Sequence, residues 1–328
     1  MHLRELGGEG LRVSAIGLGC MGMSAAYGTE DERDDAQSVK VIHRALELGC
    51  NFFDTAEVYG PYKNEELLGK ALRGRREQAV IATKFGFKIR PGLPNETDSH
   101  PKRIKEAADQ SLKRLGTDVI DLYYQHRVDR KIPIEEVAGA VGELIKQGKV
   151  KYFGLSEAGA ETIERAHAEQ KVSALQSEYS LWERGLEAKI LPLLNRLTIG
   201  LVPFCPIGRG FLTGQIKSFD DIPEGDYRRK DPRYQGKNFE RNLKLVAVVK
   251  EIGAKIGAQP SQVALAWLLH KGADIVPIPG TKRVKYLEEN WGAVAVQLST
   301  AEMEQLDALG QEVSGPRYEE AMMSMVER

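Results

Sequence analysis

Residues 51–60, "NFFDTAEVYG", place a carboxylate, Asp54, where a buried apolar run should continue, and a phenol, Tyr59, five positions later. Two further apolar runs end in the same way, "AVIATK" at Lys84 and "VIDLYYQH" at His126. Singly, each residue has an ordinary structural explanation. Asp54 reads as a helix cap, Tyr59 as an amphipathic rim residue, Lys84 as a solvated strand end and His126 as a satisfied core histidine. Together they form an acid–base device. A phenol with a pKa of about 10 is too weak an acid to serve well near neutrality. A neighbouring ammonium favours tyrosinate and is expected to lower that value. Asp54 would keep Lys84 charged and placed, and His126 would hold a substrate oxygen near the phenol. Such a donor suits an oxygen on which negative charge develops. Carbonyl reduction fits: hydride reaches carbon while Tyr59 protonates oxygen. No side chain donates hydride, so the chemistry requires a nicotinamide cofactor.

For these groups to meet, their strands must lie side by side and end on one face. Short β-branched or aromatic runs at 13–18, 51–53, 79–83, 119–125, 150–155, 174–176, 198–203 and 274–278 predict strands. Between them, apolar residues repeat at i, i+3 and i+4 over 36–48, 64–72, 101–115, 134–146, 161–169, 187–194, 239–256, 261–270 and 284–294, which predicts helices. Alternating strands and helices imply a parallel sheet. About eight such units in a chain of 328 residues predict an α/β fold, a (β/α)8 TIM barrel. "LRELGGEGLRVSAI" predicts an N-terminal β-hairpin turning at "GGEG" and capping the closed end. Barrel sites sit at strand C-termini and in the loops beyond, which is where Asp54, Tyr59, Lys84 and His126 fall. The whole chain, 1–328, reads as one domain. Residues 213–238 form a long polar insertion expected to lie over a cofactor, although a linker to a small helical domain is the alternative. The tail, 310–328, borders the substrate mouth or packs its methionines outside the barrel.

Composition narrows the partners. A net charge of −1 gives no global field favouring nucleic acid or an acidic membrane. No apolar run reaches the roughly 18 residues of a membrane span, and "MHLRELGGEG" lacks the apolar core of a secretory signal. Cys20, Cys50 and Cys205 are widely spaced, which fits a reduced cytosolic protein with neither a disulfide framework nor a metal site.

Three glycine-bearing segments bear on the cofactor. "GLGCMG" (17–22) matches the dinucleotide-binding glycine pattern. No helix pattern opens at Gly22, and Asp54 lies far beyond the expected spacing of about 20 residues. A barrel strand ending in a loop at Cys20, Met21 and Gly22, where backbone approaches a ligand, is preferred. "IPGTKRVKYLEEN" (278–290) crowds Lys282, Arg283 and Lys285 at a helix start. Cations there oppose the helix dipole unless an anion is bound, so the segment reads as a phosphate grip. "FCPIGRGFLTG" (204–214) can line a pyrophosphate through Ile207, Gly208, Arg209 and Gly210.

"GCNFFDTAEVYG", "IATKFGF" and "LYYQHRVD" resemble the aldo-keto reductase superfamily, and the likeness extends through "GLSEA", "LQSEYSLWER", "PIGRGFLTG" and "IPGTKRVKYLEENWGA". The nearest resemblance is to bacterial reductases and plant auxin-induced-protein or perakine-reductase-like enzymes. It implies a barrel that binds NADPH and reduces an aldehyde or ketone, with Tyr59 as acid, Lys84 and Asp54 as its tuning pair and His126 as substrate orienter. It further implies that Gly280, Thr281, Lys282 and Arg283 lie at the 2′-phosphate, Thr281 and Lys282 leading, with Glu289 and Asn290 at adenine. Phe204 would stack on nicotinamide. Cys205 stands where serine is common, and Pro206 follows it. Ser156, Glu157 and Gln176 match carboxamide-holding positions. Glu157 replaces a common asparagine; ionised, it can accept only from the amide NH₂, or it caps a helix. Tyr286 stands where many relatives carry arginine. Two other readings compete: a cofactor-binding sensor, as in potassium-channel β-subunits, and a hydrolase using Asp54 and Glu57.

Overall fold

A computed structural model describes residues 3–27, 33–90, 95–310 and 313–327. The chain opens with a hairpin of β1 (Leu3–Leu6) and β2 (Leu11–Ser14), antiparallel around "GGEG". Seven parallel strands follow: β3 (Leu18–Gly19), β4 (Phe52–Asp54), β5 (Val80–Phe85), β8 (Ile120–Gln125), β9 (Val150–Ser156), β10 (Val172–Glu178) and β11 (Gly200–Phe204). They adjoin in that order. A small antiparallel pair, β6 (Phe87–Lys88) and β7 (Glu96–Thr97), stands in the loop after β5. The run expected at 13–18 is divided: its start belongs to the hairpin and its end to the barrel.

The eighth position holds residues 274–280, which do not form a regular ladder. Their backbone nevertheless bonds on both sides. Val276 and Ile278 donate N–H to Leu201 and Pro203, while the carbonyls of Pro277 and Pro279 accept from Gly17 and Gly19. Proline has no N–H to give. Both prolines occupy the alternate positions that face β3, so there they offer that seam carbonyls and no N–H, and Gly280 bridges to Gly19 beyond them. Gly19 permits the approach: a Cβ on it would stand 2.8 Å from the Ile278 carbonyl oxygen.

Helices cover the outside: α1 (Asp35–Leu48), α2 (Lys63–Ala71), α3 (Pro101–Leu115), α4 (Ile134–Lys146), α5 (Ala160–Glu169), α6 (Ile190–Leu197), α7 (Gly236–Ile256), α8 (Pro260–Lys271) and α9 (Val284–Gly292). Two more, α10 (Thr300–Leu309) and α11 (Glu320–Met323), lie beyond the expected set. Among the described residues, no helix is long and apolar enough to cross a membrane.

Strand period divides the core. Outward residues such as Phe53, Ile81, Tyr123, Leu155, Leu175 and Leu201 pack beneath the helices. Phe52, Ala82, Tyr124, Ala174, Val202 and Ile278 point inward with hairpin residues Leu6, Leu11 and Val13. The hairpin therefore plugs the end where strands begin. A Cβ on Gly200 would strike Leu6. Stepping two residues toward the strand C-termini from those inward positions keeps the same face. It reaches Asp54, Lys84, His126, Gln176, Phe204 and Gly280, so the open end of the barrel interior is lined by the candidate site.

Candidate active site

Asp54 pairs in register with Ala82, and Lys84 lies two residues further along the same face of β5. The two side chains meet: Lys84 Nζ is 2.5 Å from Asp54 Oδ1. The ammonium also donates to the Thr55 carbonyl at 2.8 Å and to the Tyr59 hydroxyl at 3.3 Å. Lys84 is wholly buried and Asp54 nearly so. Gln176 donates to the other Asp54 oxygen at 2.7 Å. His126 meets the half-buried Tyr59 edge to face, with ring centroids 5.7 Å apart, and Phe87 packs on the imidazole at 5.1 Å. Four residues from three strand ends and one loop thus converge on one mouth.

The electrostatics correct one expectation. The Tyr59 pKa is raised, because burial outweighs the pull of Lys84 in the opposite direction. Tyr59 is therefore a neutral phenol near pH 7. Burial also works against the charge on Lys84, but Asp54 and then Tyr59 more than offset it, and its pKa is raised. His126 is pushed well below its usual value by burial, Lys84 and Arg127. It is a neutral imidazole whose Nδ1 is buried without a hydrogen-bond partner.

The tyrosine loop is held by residues that sequence patterning alone does not mark. Thr55 donates to Asn64, which donates to the Cys20 carbonyl and to Ser24. Cys20 N–H bonds the Asp54 carbonyl at 2.9 Å, which ties the first two loops together. Cys20 is buried, whereas Met21 and Gly22, in a short turn beyond it, are partly exposed.

A match to the Aldo/keto reductase family model extends over residues 15–311. The chain belongs to the aldo/keto reductase family. It is 46% identical over 323 residues to "Aldo-keto reductase yakc [NADP(+)]" of Schizosaccharomyces pombe (strain 972 / ATCC 24843), across 96% of this chain and 94% of that protein. Its fold resembles the glycerol dehydrogenase AKR11B4 from Gluconobacter oxydans, with a TM-score of 0.87, 28% identity and coverage of 96% and 97%. It also resembles the aldo-keto reductase AKR11C1 from Bacillus halodurans, with a TM-score of 0.76, 28% identity and coverage of 98% and 99%.

In this aldo/keto reductase the remaining candidates lie at strand ends and in the segments that follow them. Ser156 ends β9 and accepts from Arg127 at 3.2 Å. Phe204 ends β11 and Cys205 follows it, both half-buried, and Cys205 Sγ lies 3.7 Å from the Tyr27 hydroxyl. Pro206 and Gly208 are buried, with Ile207 and Gly210 partly so. Gly280 is exposed at the eighth strand end, followed by Thr281, Lys282 and Arg283 at the N-terminus of α9. Thr281 Oγ1 accepts from Arg283 N–H at 3.1 Å, and Lys282 Nζ reaches the Tyr27 carbonyl at 3.4 Å. The first turn of α9 carries no acid. Basic side chains, a hydroxyl and a helix N-terminus suit a phosphate group. Glu289 accepts a hydrogen bond from Ser261, and Asn290 is buried beside it on α9.

Two side chains are placed otherwise than expected. Arg209 is buried and paired with Glu178 and Asp231, so its charge is already met and does not await a pyrophosphate. Glu157 neither caps α5, whose N-cap is Gly159, nor keeps a carboxylate oxygen to itself. Arg317 holds both of its oxygens, and the Glu178 N–H bonds one of them at 2.9 Å. Trp182 is buried among Phe211 and Tyr234. The hydrolase reading also loses ground: Asp54 is committed to Lys84 and Gln176, and Glu57 is bound to Arg103 at 2.7 Å.

The insertion is more ordered than its polarity suggests. Short turns at Phe219–Asp221, Tyr227–Lys230 and Pro232–Tyr234 fold it back on the loop after β11. Tyr234 donates to the Gly208 carbonyl at 2.8 Å, and the Arg228 guanidinium sits 5.5 Å from the centre of the Tyr27 ring.

Proposed function

We propose that this aldo/keto reductase converts aldehydes or ketones to alcohols with NADPH, Tyr59 supplying the proton. The observation that carries the reading is the buried Asp54–Lys84 pair reaching the Tyr59 hydroxyl beside a neutral His126. Bound at this mouth, the cofactor would supply hydride to the carbonyl carbon. As charge builds on the carbonyl oxygen, Tyr59 gives up its proton. The phenolate so formed lies against Lys84, whose attraction is far stronger for an anion than for a neutral phenol. The ammonium therefore stabilises the transition state more than the ground state. Asp54 keeps the ammonium charged and directed. His126, uncharged, orients the substrate oxygen without competing for the proton.

Ser156 and Gln176 would hold the carboxamide, Phe204 and Cys205 the nicotinamide face, and the backbone of Ile207, Gly208 and Gly210 the pyrophosphate. Thr281, Lys282 and Arg283 at the start of α9 would take the 2′-phosphate, with Glu289 and Asn290 toward adenine. Residues 213–238 would lie over the cofactor. The Schizosaccharomyces pombe relative is named for NADP(+), which supports the choice of cofactor. We also propose that the chain lies in the branch of bacterial reductases and plant auxin-induced-protein or perakine-reductase-like enzymes. The test is NADPH oxidation with 4-nitrobenzaldehyde. Turnover by the wild type that Tyr59→Phe lowers by about 100-fold or more, at nearly unchanged NADPH affinity, is expected. Tight NADPH binding with no turnover of any carbonyl compound would refute the reductase reading.

A further inference from the structure

The proposed chemistry leaves unused a row of buried charges. Asp231 accepts from Arg209, whose other nitrogen is 3.0 Å from Glu178 Oε2. Arg317 Nη1 is 3.3 Å from that same Glu178 oxygen and 3.1 Å from Glu157 Oε1, while its Nη2 donates to Glu157 Oε2. None of these five side chains is more than 4% exposed. The Tyr318 ring lies against both guanidinium groups, 4.7 Å from that of Arg209 and 5.0 Å from that of Arg317. Desolvating each charge is costly, and the row joins the insertion, the loop after β11, the ends of β10 and β9, and the C-terminal tail.

The tail's end of this row acts on strained backbone. Glu157 has φ 57°, a left-handed conformation uncommon outside glycine. Its N–H bonds the Gln176 carbonyl at 3.0 Å, and Ser156 precedes it in sequence. The tail returns a second time, where Glu327 N–H bonds the Glu157 carbonyl and the Glu327 carboxylate accepts from Gly159 N–H. Glu157 is thus clamped at its side chain and at its backbone by the tail.

We propose that Arg317 is a positioning residue for the nicotinamide end of the cofactor: by gripping both oxygens of Glu157 it fixes the strained end of β9, and with it Ser156 and Gln176. The assignment rests on the reading that those two residues hold the carboxamide. Arg317 touches neither cofactor nor substrate in this scheme.

The experiment compares Arg317→Met and Arg317→Lys with the wild type for two ligands. NADPH binding is read by nicotinamide fluorescence. Adenosine 2′,5′-bisphosphate, which lacks the nicotinamide half, is read by calorimetry. Arg317→Met should weaken NADPH about tenfold or more and leave the fragment within about twofold. Arg317→Lys, which keeps the charge and one donor to Glu157, should recover part of the loss. If the Met variant does not fold, the Lys variant decides: NADPH weakened by about threefold with the fragment unchanged is expected. Unchanged NADPH affinity, or equal loss of both ligands, would overturn the assignment while leaving the reductase reading intact. A wild type that binds neither ligand would overturn both.

Discussion

Tyr59 shows how burial and charge divide one task. Burial raises the phenol's pKa and keeps it protonated near neutrality, and in the proposed mechanism Lys84 would stabilise the phenolate only once it forms. Replacing Lys84 by Met should therefore remove turnover, and it should also strand the Asp54 carboxylate in the barrel. Losing one partner of a buried pair costs about 3–5 kcal/mol, measurable as a lower urea midpoint. His126 carries a pH signature of opposite sign to a salt-bridged histidine. Its folded pKa is depressed well below 6.5 by burial, Lys84 and Arg127. The unfolded chain takes up this proton first as pH falls, so the group's contribution is complete above 6.5 and shrinks as pH drops toward the folded value. His126→Gln should flatten the acid limb of a plot of thermal midpoint against pH. An unchanged limb would mean that the imidazole is charged in the folded protein.

At the level of elements, the barrel closes through the irregular strand at 274–280. Two carbonyls meet β3 there, and Gly19 lies against the Ile278 carbonyl. A methyl added at Gly19 meets backbone rather than a movable side chain, so Gly19→Ala should cost about 1–3 kcal/mol. Denaturant unfolding checks this, and a wild-type midpoint would show a looser seam. The start of α9, with its hydroxyl and basic residues and no acid in the first turn, should discriminate between cofactors. Lys282→Ala is expected to weaken NADPH about tenfold and NADH little. Equal loss for the two in steady-state titrations would remove Lys282 from the 2′-phosphate.

Across the whole molecule, hydrogen bonds and ion pairs join the insertion, the loop after β11 and the tail. Arg233 bonds the Gly315 and Trp182 carbonyls and pairs with Glu183. Asn242 exchanges hydrogen bonds with Ser314. Removing residues 314–328 should strip the buried Glu157 carboxylate of its arginine, leave Glu178 with Arg209 alone, and lower the thermal midpoint well below that of the intact chain. A midpoint equal to wild type would show that the tail is dispensable.

The sequence by itself determined the alternation of strands and helices and the residues at the strand ends. It did so because strand period and helix period are local, and because a polar residue ending an apolar strand has one face to point from. Asp54, Lys84 and His126 were legible for that reason, and Tyr59 by its place in the loop just beyond Asp54. The strand at 274–280 was legible as apolar, but its prolines concealed how it bonds. Only the tertiary structure decided that burial outweighs Lys84 at Tyr59. It alone decided that Arg209 answers carboxylates, and that Glu157 is taken by an arginine 160 positions away. Those outcomes depend on which charges share a low-dielectric interior, and sequence distance carries no trace of that proximity.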